Sequence, residues 1–124
     1  MRTILTTTLG AIGALLAAGA VEATDIQTTG NRHQLTGGQL FEFHGCVNCH
    51  GAKGRNPITK KVPAIGGKDS AYIYKEATDI LAGRRDSEDA KLMHSALSYH
   101  ASCDAPPTDA EIRSIATWLA QQSQ

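Results

Sequence analysis

CVNCH, Cys46 to His50, decides how this chain is read. It takes two of only three cysteines and places a histidine directly after the second. Several chemistries begin from such a pattern. A redox dithiol also reads Cys-x-x-Cys, but it belongs at a strand-to-helix turn of a βαβ unit. A structural zinc site needs four ligands. Cys46, Cys49, Cys103 and any of the five histidines are candidates, yet no second paired spacing exists. A disulfide between Cys46 and Cys49 would close a small, strained ring.

The remaining chemistry is covalent attachment of a c-type haem, for which Cys-x-x-Cys-His is the signature. Two thiols on one turn can add to the two vinyl groups of one haem edge, and the following imidazole then reaches the iron. On this reading Cys46 and Cys49 are the thioether anchors and His50 is the proximal ligand.

The rest of the chain supplies context. Its 124 residues allow one domain. Arg2, the apolar and small stretch Leu9–Val21 (LGAIGALLAAGAV), and the small residues around Glu22 predict a cleaved signal peptide over 1–23. The stretch is shorter than the ~20 residues of a membrane span, so no span is expected after cleavage. The mature protein is then exported, to the periplasm, into an oxidising compartment. Residues 24–35 are polar and predict a flexible lead, followed by the domain at 36–124. Twelve basic residues balance twelve acidic ones. No surplus points to nucleic acid. The even balance also predicts an encounter with little salt dependence, and a more apolar or permanent partner contact. Two Phe, three Tyr and one Trp make a thin core that a large apolar group would fill.

Periodicity predicts an all-α fold. Thr36 can cap a helix carrying Leu40, Phe41 and His44 within Leu35–Cys49. Gly51 to Lys68 (GAKGRNPITKKVPAIGGK) predicts a long loop. Helices follow over Ser70–Leu81, stopped by Gly83, and over Glu88 to about Tyr99, capped by Ser87. Thr108-Asp-Ala-Glu111 is a capping box for a last helix whose Ile112, Ile115, Ala116 and Leu119 share a face.

Together these segments resemble a class I cytochrome c over about Thr36–Gln122. The resemblance is carried by GGQLFEFHGCVNCHG (37–51), VPAIGGKDSAYI (62–73), ILAGRR and KLMHSAL, and TDAEIRSIATWLAQQ (108–122). Within the family the chain is similar to the small cytochrome subunits of periplasmic sulfide and sulfite dehydrogenases. The resemblance implies four or five short helices wrapped around one covalent haem c with its iron. It implies a carrier of single electrons from a periplasmic dehydrogenase, or another redox partner protein, to a downstream acceptor; the enzyme would be the partner. The alternative is a haem enzyme subunit or a gas or redox sensor with a labile distal ligand.

The resemblance also assigns roles. Pro63 offers its carbonyl to the His50 ring, a simple turn proline being the alternative. Met93 is the distal ligand; because His94 stands where the family often has Pro or Gly, His94 and His100 are the rival ligands. Gly37 or Gly38, Phe41 and Trp118 mark the crossing of the first and last helices. Tyr72 or Tyr74, and Arg84 or Arg85, are candidates for a haem propionate. His33 and His44 have no assigned role. Cys103 lies in a segment longer than the family's compact pattern. It is open to three readings: an inert buried thiol, an intermolecular disulfide, or a reactive or ligating thiol.

Overall fold

The computed structural model describes residues 32–98 and 105–122. Among these residues there are five α-helices, two short 3-10 turns and no strand: α1 (Gly37–Phe43), α2 (Cys46–His50), α3 (Ser70–Leu81), α4 (Glu88–Ser98) and α5 (Asp109–Ala120), with the turns at Arg32–Gln34 and Ala52–Gly54. The all-α expectation holds. The signal segment, His100 and Cys103 lie outside the described residues. No helix among the described residues is long and apolar enough to cross a membrane.

Local chemistry sets where the helices begin. The Thr36 hydroxyl accepts from the Gln39 N–H at 3.3 Å, while the Gln39 side-chain oxygen accepts from the Thr36 N–H at 2.9 Å. Thr108 and Glu111 repeat this reciprocal box at α5, at 3.3 and 2.7 Å. Each box satisfies two N–H groups that a helix start leaves without partners. Ser87 accepts from the Ala90 N–H at 3.3 Å, and Asp69 caps α3 through the Tyr72 N–H at 2.9 Å.

The stretch from Leu35 to Cys49 departs from a single helix. It breaks at Gly45, whose φ of 70° lies in the left-handed region that glycine enters without a Cβ penalty. Cys46–His50 therefore forms its own short helix, separate from α1.

α1 and α3 both pack on α5. Phe41 and Leu119 are fully buried among Leu40, Ile73, Ile115 and Ala116. Each such large side chain contributes about 1.5–3 kcal/mol by leaving water. The helix crossing needs a residue without a side chain: a Cβ on Gly37 would stand 2.3 Å from the Ser114 carbonyl oxygen and 2.6 Å from the Trp118 Cβ. Phe41 and Trp118 pack beside it with ring centroids 5.5 Å apart.

The 51–68 loop has no regular element beyond one 3-10 turn, yet it is tied down. The Ile65 and Gly66 N–H groups donate to the Gly54 carbonyl at 2.8 and 2.9 Å, and Gly67 donates to Leu119 at 2.8 Å. The flexible lead expected over 24–35 is corrected at its end. Arg32–Gln34 forms a turn, and Arg32 is buried against α5. Its guanidinium grips the Glu111 carboxylate at 3.0 and 2.8 Å, a bidentate pair whose geometry is specific to arginine.

Candidate functional site

Three neighbouring cavities share two side chains, His50 from α2 and Met93 from α4. One, of about 120 Å³, is lined by both Cys46 and Cys49 together with Val62, Pro63, Leu92 and Leu97. A second, of about 50 Å³, runs into the apolar core between Phe41, Ile73, Leu97, Ile112 and Leu119. The third, of about 360 Å³, lacks the cysteines and is lined by Lys61, Tyr72, Glu76, Arg85, Ser87 and Asp89. The space between His50 and Met93 thus has a sulfur edge, an apolar floor and a polar edge. A larger open groove of about 670 Å³ runs between α1 and α5 along Asp109, Arg113 and Trp118, and none of these sulfur or imidazole groups lines it.

His50 is buried, and its Nδ1 lies 2.9 Å from the Pro63 carbonyl oxygen. That carbonyl can only accept, so Nδ1 carries the proton and Nε2 is left for a metal. Burial lowers the His50 pKa, and the Pro63 carbonyl opposes this only in part, so the ring favours its neutral form. Burial pushes the Cys46 thiol up to about 11; a backbone hydrogen bond opposes the shift, and neighbouring Cys49 adds to it. A redox dithiol requires the opposite, a thiol lowered towards neutrality. Cys46 and Cys49 are not bridged to each other.

Met93 and His94 adjoin on α4 but face different ways. Met93 lines all three cavities. The His94 ring is bonded at Nδ1 to the Ile80 carbonyl, 3.0 Å away, and is not among the residues that line them. The propionate candidates separate in the same way. Tyr74 is engaged with Asp109 and Arg113 on the α3–α5 seam, and Arg84 with Asp79. Tyr72 and Arg85 line the polar cavity, where Arg85 pairs with Glu76.

His33 is exposed, whereas His44 is buried and lines the cavity beside Cys46 and Cys49. Its Nε2 stands 3.4 Å from Glu111 Oε2. Arg32, His44 and Glu111 therefore form a buried polar cluster behind the cysteine turn, which the sequence reading did not find. Burial alone would raise the Glu111 pKa. Hydrogen bonds from Arg32 and Thr108, with the Arg32 charge, outweigh it and hold the carboxyl at about 2.

The residues present fit a c-type haem: two thiols on one turn, an oriented neutral imidazole, a thioether across the cavity from another helix, and an apolar floor with a polar edge. The comparisons with known proteins agree. The family model described as Cytochrome c matches residues 35–123. Cytochrome c4 of Pseudomonas aeruginosa is 34% identical over 61 residues, which cover 48% of this chain and 30% of that protein. The thiosulfate dehydrogenase electron acceptor of Thiomonas intermedia is 30% identical over 93 residues, 75% of this chain and 39% of that protein. The chain therefore spans well under half the length of these curated relatives. No solved structure matches it. A match over most of the chain, on a helical fold with this cavity, shows that the chain belongs to the cytochrome c family, electron-transfer proteins whose cofactor is a covalently bound haem c with its iron.

Proposed function

We propose that this cytochrome is a His/Met-ligated monohaem carrier, exported to the periplasm, that takes single electrons from a dehydrogenase and passes them to a downstream acceptor. The observation that carries the ligation is that His50 and Met93, from different helices, line the same three cavities. Cys46 and Cys49 anchor the group through their sulfurs. Bound there, the haem supplies a one-electron Fe(III)/Fe(II) couple. His50 binds through Nε2, and its Nδ1–H donates to Pro63, which fixes the ring and raises its basicity as a ligand. Met93 supplies a neutral sulfur, which favours the reduced state relative to a second imidazole. Phe41, Ile73, Leu97, Ile112 and Leu119 exclude water and disfavour the extra charge of the ferric state.

Two observations support the wider reading. The N-terminal Leu9–Val21 stretch behind Arg2 has the composition of an export signal. One relative carries the name thiosulfate dehydrogenase electron acceptor, and this likeness supports a donor enzyme that oxidises a reduced sulfur compound.

The ligation is tested in the holoprotein by a pyridine haemochrome spectrum and by the ferric charge-transfer band of a methionine sulfur ligand. The band is expected in the wild type and absent in Met93→Ala, whose reduction potential falls. A wild type that lacks the band, or whose ferrous form binds carbon monoxide rapidly, would overturn Met93 as the ligand and favour a labile distal site. The donor is tested by mixing the ferric protein with thiosulfate dehydrogenase and thiosulfate; no reduction beyond the enzyme-free control rejects that partner.

A further inference from the structure

α4 carries Met93 but shares little of the core. Its inward stripe, Ala90, Met93 and Leu97, faces the cavities. None of the three belongs to the core cluster, which is built on α1, α3 and α5. Lys91, Leu92, Ser95 and Ala96 are exposed. Segments with few buried apolar contacts open at lower free energy than the core does. The polar bonds of α4 are mostly local: Ser87 caps it, and Lys91 reaches Glu88 and Asp86 at 3.5 and 4.0 Å. Among the described residues, one side-chain hydrogen bond leaves α4 for another helix. It joins His94 Nδ1 to the Ile80 carbonyl, 3.0 Å away.

The acceptor is held in place. α3 ends in a Schellman turn, in which the Gly83 N–H, at φ 67°, donates to Ile80 at 2.9 Å and the Arg84 N–H donates to Asp79 at 2.8 Å. The Ile80 carbonyl is among the last four of its helix, which have no partner further along it. It accepts two bonds, one from Gly83 and one from His94. Because it can only accept, His94 Nδ1 carries the proton. α3 is in turn anchored in the core by Ile73. The Pro or Gly that the family often has at this position would offer no side-chain donor, so the bond belongs to this chain. Met93 adjoins His94, about 1.5 Å along the helix axis and about 100° around it. A movement of α4 that pulls His94 off Ile80 therefore carries the Met93 backbone with it.

We propose that His94 is a positioning residue for the metal: by tying α4 to the end of α3, it holds the Met93 sulfur in the cavity and sets how readily a small external ligand replaces it. The proposal rests on the His50/Met93 reading and adds what governs the lability of that site. In the replacement, the Met93 sulfur leaves the ferric iron with its own electron pair, and an imidazole nitrogen donates its pair instead. No electron or proton is transferred. Opening of α4 breaks the Ile80 bond in the same movement, so that bond opposes every replacement.

The test titrates the ferric holoprotein with imidazole and follows the methionine-to-iron band. In His94→Ala the apparent dissociation constant of imidazole should fall about fivefold, the factor set by one ordinary hydrogen bond. His94→Asn places an amide N–H near the position of Nδ1–H and should return the constant to within about twofold of the wild type. Thr36→Ala removes the α1 cap, a comparable loss of overall stability, and should leave the constant within about twofold of the wild type. Met93→Ala has no sulfur to displace and should bind imidazole most tightly. The wild type gives a second measurement that needs no variant to fold. The His94 Nδ1–H resonance should exchange slowly with solvent in the methionine-ligated protein and rapidly once imidazole is bound. An unchanged constant in His94→Ala, an equal fall in Thr36→Ala, a His94→Asn that behaves as His94→Ala does, or equal exchange in the two wild-type forms would overturn the tether. A constant that Met93→Ala leaves unchanged would instead overturn methionine ligation, and the tether with it.

Discussion

Arg32 is the residue whose loss is expected to reveal most about how the haem-bearing fold is held. Its side chain is 10% exposed and that of Glu111 is 5% exposed, so each carries its charge with little water around it. Glu111 is held at about 2, against an ordinary value of 4.5. A depressed carboxyl stabilises the native state fully above its unfolded pKa and loses that contribution as pH falls through the folded one. The difference of roughly 2.5 units corresponds to about 3 kcal/mol at pH 7, lost between about pH 4.5 and 2. In Arg32→Gln the carboxylate remains buried without its guanidinium. Stability at pH 7 should fall by about 3 kcal/mol, in the range found for breaking a buried pair. The acid limb of the stability curve should also begin at higher pH. Arg84→Gln is the control: Arg84 is 59% exposed in its pair with Asp79, and such pairs contribute about 1 kcal/mol or less. The assay is guanidinium unfolding of the holoproteins at pH values from 7 down to the acid transition, followed by Trp118 fluorescence and far-ultraviolet circular dichroism. If Arg32→Gln keeps its stability within about 0.5 kcal/mol of the wild type, with an unchanged acid limb, the buried cluster does not tie the N-terminal turn to α5.

Other changes separate the roles of neighbouring groups. Gly37→Ala forces a Cβ against the Ser114 carbonyl and should cost about 1–3 kcal/mol as overpacking at the α1–α5 crossing, read from the same unfolding curves. Pro63→Ala keeps the backbone carbonyl that the His50 ring uses, so the Fe(II)/Fe(III) ratio at a fixed potential should move by less than about threefold, or ~30 mV for one electron; a larger shift in spectroelectrochemistry would mean that the proline ring itself sets the loop. His94→Ala should leave the methionine-to-iron band intact and remove only the hydrogen bond to Ile80, worth about 1 kcal/mol. Loss of that band in His94→Ala would reopen the choice of distal ligand.

The features legible in the sequence are those whose causes lie within a few residues. The capping boxes at Thr36 and Thr108, the Ser87 cap and the α5 stripe of Ile112, Ile115, Ala116 and Leu119 all appear as read, because each is a contact across one or two helical turns. The break at Gly45 was missed because apolar periodicity runs through it; a single glycine within a helical pattern does not announce that its φ is positive. The contact between His50 and Pro63, 13 residues apart, was anticipated from resemblance, since no local rule links a ring to a carbonyl across a loop. The separation of Met93 from His94 needed the structure, because adjacent residues on a helix point about 100° apart and only the packing of α4 selects which one faces the cavity.

Arg32 and Glu111 lie 79 positions apart and left no trace in the sequence reading, for a physical reason. Glu111 already has a complete local explanation as the third residue of a capping box, so nothing in its surroundings calls for a second partner. Arg32 sits in a polar, aperiodic stretch that would read as mobile whether or not one of its side chains were buried. The same blindness applies to charge. A balance of twelve and twelve is insensitive to where the pairs fall. Only pairing each cation with its carboxylate shows that, among the described residues, the cations left over lie in the 51–68 loop, which also holds the His50 ring through Pro63. In both cases the long-range partner was hidden because each residue looked sufficiently explained by its own neighbourhood.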